Sequence, residues 1–438
     1  MDSRLIIAAV LFALTYICMI AFTKFRPVVV TISALVFILS GVFGLIDYSF
    51  LEVWQAIDWN VLLMIAGTMG LVALFSESKM PRRIADIIIN TMPDVRITII
   101  MLSVFASIVS AFVDNVATVL MVVPVALVLA ERLSISPVLP IIAIAVSANL
   151  QGAATLVGDT VSILLGSQLK MTFLDFFWYL QRPGLFFVVQ LAGLLTVVYL
   201  LRVFKAYKQK PLPQELTQVT DYMPSILLIA MIVILIGASF IPLDKKPAIT
   251  NGLICVGLML VGILYSLIRT KSFHALKVVL AGLEFDTLVL LLGLFIVIGG
   301  VEQAGVIKAL GDFFAQLQIG IFAMYSIIVW GSVLISAFVD NIPYIATMLP
   351  VVQILSTNLG ISSPVLFFGL LMGATLGGNI TPIGASANIA AISTLRAKGY
   401  EVSNGTFMKM SVPFTLIAVT TGYVLIWVLF GIGLGVPW

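Results

Sequence analysis

Ser110-Ala111-Phe112-Val113-Asp114-Asn115 recurs letter for letter, 226 positions later, as Ser336-Ala337-Phe338-Val339-Asp340-Asn341. Nine residues after each Asn stands a proline, Pro124 and Pro350. Both copies lie inside apolar runs long enough to enter a bilayer. A carboxylate and an amide at membrane depth cost several kcal/mol unless they are paired, solvated or used. The chain accepts that cost twice, in one local sequence. Outward from the hexapeptide the offset of 226 persists without a gap. Leu62 pairs with Leu288 and Gly67 with Gly293. Ala148, Leu150, Gly152, Thr155, Gly158 and Ile163 pair with Ala374, Leu376, Gly378, Thr381, Gly384 and Ile389. Matches of Leu and Ala mean little in so apolar a chain. Gly, Thr and Asp-Asn matches in one register mean duplication.

Composition sets the class. Of 438 residues 61% are hydrophobic and 10% charged, against roughly 25% charged in soluble domains, and mean hydropathy is +1.19. The expectation is an all-α polytopic membrane protein. The net charge of +3 and the lack of a basic patch larger than a loop exclude nucleic acid as a partner. Cys18 and Cys255 both sit in apolar runs and read as core or lipid-facing thiols. His274 sits in a basic loop and reads as solvated. No His/Cys cluster has metal-ligand spacing, and no nucleophile–base pair appears, so neither an enzyme nor a cofactor or metal site is expected. The run from Leu5 to Phe22 reads as an uncleaved first span, because Thr23-Lys24-Phe25-Arg26 follows it instead of a small-residue cleavage site.

Full spans are expected near 5–22, 27–46 and 59–75, each about long enough for a ~30 Å core. Asp47, Glu52 and Asp58 fill the loop before the third; Lys79, Arg82, Arg83 and Arg96 fill the loop after it. Residues 97–130 hold two short apolar pieces split at Asp114-Asn115, which suits a re-entrant hairpin with a buried tip. In 139–166 the stretch from Asn149 to Thr160 interrupts an apolar segment with Gly152, Thr155, Gly158 and Asp159, as in a helix unwound at mid-depth. A span at 185–203 closes the first half, and a cytoplasmic linker, 206–221, follows. The second half repeats the plan. Spans fall at 222–242, 250–268 and 286–300, with a basic loop carrying Arg269, Lys271 and Lys277. A hairpin at 318–356, a broken helix at 363–395 and a last span at 411–435 complete it.

Five spans per half make the repeats, 1–205 and 222–438, inverted across the membrane. Both termini are then external. Arg4, Lys170, Arg182, Lys245, Lys246 and Lys308 fall outside and the other 17 of the 23 Lys and Arg fall inside, as the positive-inside rule asks. Trp54, Trp59 and Trp438 fall at external span ends as interfacial anchors.

Inverted repeats with broken helices near the midplane describe a secondary transporter. The tips and unwound segments bring Asp114, Asn115, Thr118, Asp340, Asn341 and Tyr344 together with Asn149, Thr155, Asp159, Asn379, Thr381, Ser386 and Asn388. Asp114, Asp340 and Asp159 are the candidates for a coupling proton or cation; the amides and hydroxyls are the candidates for the solute. The competing explanation of the two Asp is that they cap half-helices, and that of the Gly, Thr and Ser is close helix packing. No Lys, Arg or His is expected at the midplane, so the cavity suits a cation, a proton or a neutral polyhydroxyl solute better than an anion.

Asp-Asn at two hairpin tips, followed by Gly378-Asn379-Ile380-Thr381-Pro382-Ile383-Gly384-Ala385, resembles the ArsB/NhaD permease group of the ion transporter superfamily over nearly the whole chain. The resemblance implies an inner-membrane secondary transporter working by alternating access. Its leading form is proton-coupled efflux of arsenite or antimonite, since As(OH)3 is a small uncharged triol that Asn, Thr and Ser can bind. Sodium/proton antiport and a citrate-like anion carrier or channel are the alternatives. Related dicarboxylate carriers have Ser-Asn-Thr at the tips where this chain has Asp-Asn. The implied partners are the solute, protons or sodium, the bilayer, a second copy in a homodimer and a soluble ATPase subunit. Pro343 and Tyr344 crowd the second tip, which favours Asp114 as the proton carrier.

Overall fold

The computed structural model describes residues 3–22, 25–242, 244–316, 319–361 and 364–436. Trp438 lies outside the described residues. Within them the chain forms 20 α-helices in two runs of ten. The first run is α1 Ser3–Ala21, α2 Arg26–Val42, α3 Phe50–Ala56, α4 Trp59–Glu77, α5 Met80–Thr91, α6 Val95–Ser110, α7 Asn115–Arg132, α8 Val138–Gly152, α9 Thr160–Gln168 and α10 Leu185–Val203. The second is α11 Met223–Ser239, α12 Thr250–Thr270, α13 His274–Gly282, α14 Phe285–Gln303, α15 Val306–Gln316, α16 Ile321–Ser336, α17 Asn341–Asn358, α18 Val365–Gly377, α19 Ser386–Ala397 and α20 Asn404–Ile426. The first residues of α4, α5, α6, α7 and α9 stand 226 positions before those of α14, α15, α16, α17 and α19. The chain is a polytopic membrane protein: α1, α4, α7, α10, α12, α14 and the run from α20 to Leu434 are long and apolar enough to cross a bilayer.

The packing carries the same two-fold plan. α4 lies on α12 and its counterpart α14 on α2, so each half buries a helix of the other. α6 packs on α8 and α16 on α18, while α10 meets its own counterpart α20. α19 lies against α7 and α9 against α17, which interleaves the hairpins with the opposite broken helices. Pro124 and Pro350 sit inside α7 and α17. Each removes one helix hydrogen bond.

Several stretches expected as loops are helical. α3, α5, α13 and α15 are short helices whose apolar residues recur at helical spacing among charges; in α5, Pro81, Ala85 and Ile89 are buried while Arg82 is exposed. Counting charges along the chain hides such a one-sided pattern, which pays off only against a neighbour. α3 starts on a capping box, in which Ser49 N donates to Glu52 Oε2 at 2.6 Å and Glu52 N to Ser49 Oγ at 3.3 Å. These bonds to Ser49 hold the Glu52 carboxyl below its ordinary value. His274 is the exposed first residue of α13, with Nε2 3.3 Å from Glu77 Oε1. The expected all-α architecture holds, with one short hairpin beside the helices. Trp178–Tyr179 pairs antiparallel with Arg182–Pro183 between α9 and α10, about a turn at Leu180 and Gln181 with φ of 49° and 61°.

Residues 206–221 form no regular element, but they are strapped down. Val95 N and Arg96 N donate to the carbonyls of Gln209 and Tyr207 at 2.9 and 2.8 Å. Buried Asp86 of α5 accepts from Thr217 N at 2.9 Å and Thr217 Oγ1 at 2.6 Å. Cys18 and Cys255 are free thiols, the first half-buried and the second buried.

Candidate functional site

Both hairpin tips end in an Asp that caps the following helix. Asp114 Oδ1 accepts from Val116 N at 2.9 Å and Ala117 N at 3.3 Å. Asp340 Oδ1 accepts from Ile342 N at 3.1 Å. Capping therefore accounts for one carboxylate oxygen of each. The tips are fastened to the unwound segments in matching ways. Thr155 Oγ1 donates to the Ala111 carbonyl, and Thr381 Oγ1 to the Ala337 carbonyl. Gly158 and Gly384 lie against these same turns. A Cβ on Gly158 would meet the carbonyl oxygens of Gly152, Ala111 and Ser110 at 2.8, 2.9 and 3.1 Å. A Cβ on Gly384 would meet those of Gly378, Ala337 and Ser336 at 2.6, 2.9 and 2.9 Å. Only glycine lets the backbone approach this closely.

The first tip anchors a buried amide network that crosses between the halves. Asn115 Nδ2 donates to Asn149 Oδ1 at 3.1 Å and Asp159 Oδ2 at 3.0 Å, and Ser110 Oγ donates to Asn115 Oδ1 at 2.6 Å. Asn149 Nδ2 donates to the Thr375 carbonyl at 2.8 Å and Asn379 Oδ1 at 3.1 Å. Asn379 Nδ2 returns to the Val146 carbonyl at 3.0 Å. Both amide hydrogens of Asn115 are thus used, and a satisfied buried network of this kind specifies one arrangement. Asn388 Nδ2 donates to the Gly378 and Thr381 carbonyls at 3.0 and 3.3 Å, holding the second broken segment in shape. Asn341 is buried at the start of α17. Tyr344 shares its hydroxyl with Ser332 Oγ at 2.9 Å. Thr118 is fully buried with no partner for Oγ1, apart from the network.

The second tip is different, and one residue there overturns an expectation. Arg26, at the first turn of α2, places Nη1 3.3 Å from Asp340 Oδ2, and both side chains are largely buried. Ser386 Oγ donates to the same oxygen at 3.3 Å. The centre is therefore not free of cations. Linear reading placed Arg26 in a polar loop because Thr23-Lys24-Phe25 precedes it. Pro27 starts the helix there, and the tertiary fold carries the long side chain 314 positions along the chain. Gly252 stands at the repeat position of Arg26, so the guanidinium has no counterpart in the other half.

Two further carboxylates went unnoticed as a pair. Asp58 and Glu284 are 226 positions apart and are the N-cap residues of α4 and α14. Asp58 caps with Oδ1 on Val61 N at 3.0 Å and accepts the Ser167 hydroxyl of α9 with Oδ2. Glu284 accepts Thr287 Oγ1 at 3.0 Å and lies within electrostatic reach of Asp114 and Asp340. Asp159 is likewise within reach of Asp114 and Asp340. The offset itself was the signal that could have found Glu284.

The halves also differ in exposure. Ser386, Ile383 and Ile389 are exposed, Ile383 by 59%, while their repeat mates Thr160, Val157 and Ile163 are buried, Val157 to 3%. A separate cavity of 790 Å³ lies between the start of α4, α9, α14, α17 and residues 246–251, lined among others by Asp58, Asn60, Lys170, Lys246 and Glu302. None of the side chains expected in the site lines it. Burial holds the Lys246 ammonium there below its ordinary value, opposed by the charge of Asp175.

Comparison with known proteins places this architecture. The 46 kDa membrane protein of Mycobacterium leprae is 28% identical over 85% of this chain and 86% of its own length. The human P protein is 27% identical over 85% of this chain, which spans 54% of that protein. The YdaH transporter of Alcanivorax borkumensis superimposes with a TM-score of 0.61 at 15% identity, covering 89% of each chain. MtrF of Neisseria gonorrhoeae does so with a TM-score of 0.57 at 16% identity, covering 90% of this chain and 84% of its own. Likeness at these identities shows the fold, that of membrane transporters. A family model described as Citrate transporter matches residues 16–367, and the chain thereby belongs to the CitMHS citrate transporter family.

Proposed function

We propose that this transporter is a secondary active carrier for a small organic anion of the citrate class, coupled to protons and working by alternating access. The observation that carries the reading is Arg26 beside Asp340 at a hairpin tip. A guanidinium is the side chain best shaped for a carboxylate, and its absence was the main argument for an uncharged solute. With Arg26 present and citrate in the family description, the organic-anion reading displaces arsenite and antimonite efflux. The carboxylates near the hairpin tips set a second condition. Asp114, Asp159, Asp340 and Glu284 would repel a polyanion unless protons or another cation neutralise part of their charge. Protons are the neutralising cation proposed here.

Alternating access is supported by the two runs of ten helices with a short, strapped linker between them, together with the five spans that the sequence reading assigns to each half. An odd number of crossings inverts the second half relative to the first. The Asp-Asn tips, Asn115, Asn149, Asn379 and the Thr155 and Thr381 fastenings would then form the shared centre, with residues 1–205 and 222–438 as the exchanging halves. On this layout the linker faces the cytoplasm and both termini the outside of an inner membrane. The difference in exposure between Ile383 and Val157 fits one half opened and its mate closed.

Proteoliposomes loaded in turn with citrate, arsenite and sodium test the assignment through exchange of external radiolabelled solute. Labelled citrate should accumulate against internal citrate well above protein-free vesicles, with no comparable exchange of arsenite or sodium. Arsenite exchange without citrate exchange would reject the organic-anion reading.

A further inference from the structure

We propose that the cavity between the start of α4, α9, α14, α17 and residues 246–251 is a second ligand site, apart from the transport centre, for an amphipathic carboxylate: one negative charge on an alkyl body. The inference goes beyond the citrate-class reading, since it concerns another place in the fold and another kind of molecule, and it does not depend on that reading.

The cavity has the size and the wall of a small-molecule site. Its volume is 790 Å³, within the roughly 300–1,000 Å³ that such sites occupy. Met64, Leu156, Ile163, Leu164, Ile298 and Leu349 give it a buried apolar wall. α4 and α9 come from the first half and α14 and α17 from the second, so the cavity lies in the seam between the repeats.

Among the described residues four charged side chains line it: Asp58, Lys170, Lys246 and Glu302. Asp58 is already engaged. Its Oδ1 caps α4 on Val61 N at 3.0 Å, and its Oδ2 accepts the Ser167 hydroxyl. The two lysines differ. Neither forms an ion pair among the described residues. Asp175, whose charge reaches Lys246, engages Oδ2 with Thr172 N at 2.6 Å and Thr172 Oγ1 at 2.7 Å. Lys246 is half-buried, so its ammonium has lost part of its water without gaining a close partner. A ligand carboxylate supplies one.

Glu302 sets the upper limit on charge. It is exposed and forms no ion pair among the described residues. A second or third carboxylate on the ligand would be repelled by Glu302 and Asp58. The lining therefore selects a single charge with an apolar body, which citrate does not offer. The repeat does not duplicate this lining. At the offset of 226, Lys170 falls on Arg396, but Lys246 falls on Ile20 and Glu302 on Ser76.

The test is binding of radiolabelled decanoate to the full-length protein in phosphatidylcholine nanodiscs, with uptake by empty discs subtracted and hydrogen exchange used to locate it. Decanoate should bind saturably and slow amide exchange in 163–172 and 246–252. Decylammonium, with the same tail and the opposite charge, and citrate should each displace it at least tenfold more weakly. Lys170→Gln and Lys246→Gln should each weaken binding about tenfold, as loss of one charge-assisted contact does. Glu302→Gln should strengthen it, and Lys245→Gln, an exposed neighbour outside the cavity, should leave it unchanged. Melting establishes that the variants fold, and exchange on wild type decides where one does not. Uptake no greater than in empty discs, protection only elsewhere, equal displacement by decylammonium, or wild-type affinity in both folded lysine variants overturns the proposal. Protection of both segments in phosphatidylglycerol discs without decanoate, unchanged when decanoate is added, gives the cavity to membrane lipid and overturns it as well. The citrate-class reading is decided separately, by the exchange of labelled citrate.

Discussion

Alanine at position 158 or 384 should destabilise the protein by about 3 kcal/mol and cut transport at least tenfold. Each added Cβ would stand within 3.1 Å of three backbone carbonyl oxygens, and for Gly384 all three lie at 2.9 Å or less. Backbone cannot rotate away as a side chain can. Relief requires the hairpin tip to separate from the unwound segment, and that separation breaks the Thr155–Ala111 and Thr381–Ala337 hydrogen bonds. Gly331→Ala is the control. It sits inside α16 with nothing within 4 Å of its added Cβ, so it should be neutral or gain up to about 1 kcal/mol of helix propensity. Melting of the purified variants, with citrate exchange on the same preparations, checks the contrast. Equal behaviour at 158, 384 and 331 would mean the close approach carries no weight.

The second large effect belongs to Asn115. Asn115→Ala should cost about 3 kcal/mol, because it strands Ser110, Asn149 and Asp159 without their partner, and each unsatisfied buried group costs about 1–3 kcal/mol without simple addition. Transport should fall further than stability, since the first hairpin tip loses its link to both arms of the first broken helix, at Asn149 and Asp159. Thr118→Val is the informative companion. The hydroxyl is buried without a partner, so removing it at nearly equal volume should leave melting unchanged or slightly raised. If transport then collapses in a stable Thr118→Val protein, Thr118 touches the solute as the sequence suggested. Unchanged transport would leave it a packing residue.

The duplicated hexapeptide carried most of the fold. Asp-Asn marks the start of α7 and α17 because a residue that accepts backbone N–H groups belongs where a helix begins. The polar interruptions after Gly152 and Gly378 mark where α8 and α18 end, since unwound backbone needs small residues and local hydrogen bonds. Arg26 was not legible. Its role depends on a contact across 314 positions, and its neighbours in sequence are those of a loop. Glu284 was legible only through Asp58, and a loop acid attracts no notice until its repeat mate is seen to cap the counterpart helix. α3, α5, α13 and α15 were lost for a related reason: one apolar face among charges reads as polar until its partner helix is known. The solute was beyond the motifs, because Asp-Asn tips and broken helices build a transport centre for several chemistries, and one guanidinium shifts the balance among them.

The measurement that bears most directly on a proton-coupled anion carrier is proton movement driven by citrate alone. Proteoliposomes with citrate inside, none outside, no initial pH difference and the membrane potential clamped at zero should export protons with the anion. The lumen should turn alkaline as citrate leaves, and should keep its pH in protein-free vesicles. Citrate efflux that leaves the lumenal pH as it is in protein-free vesicles would contradict the account.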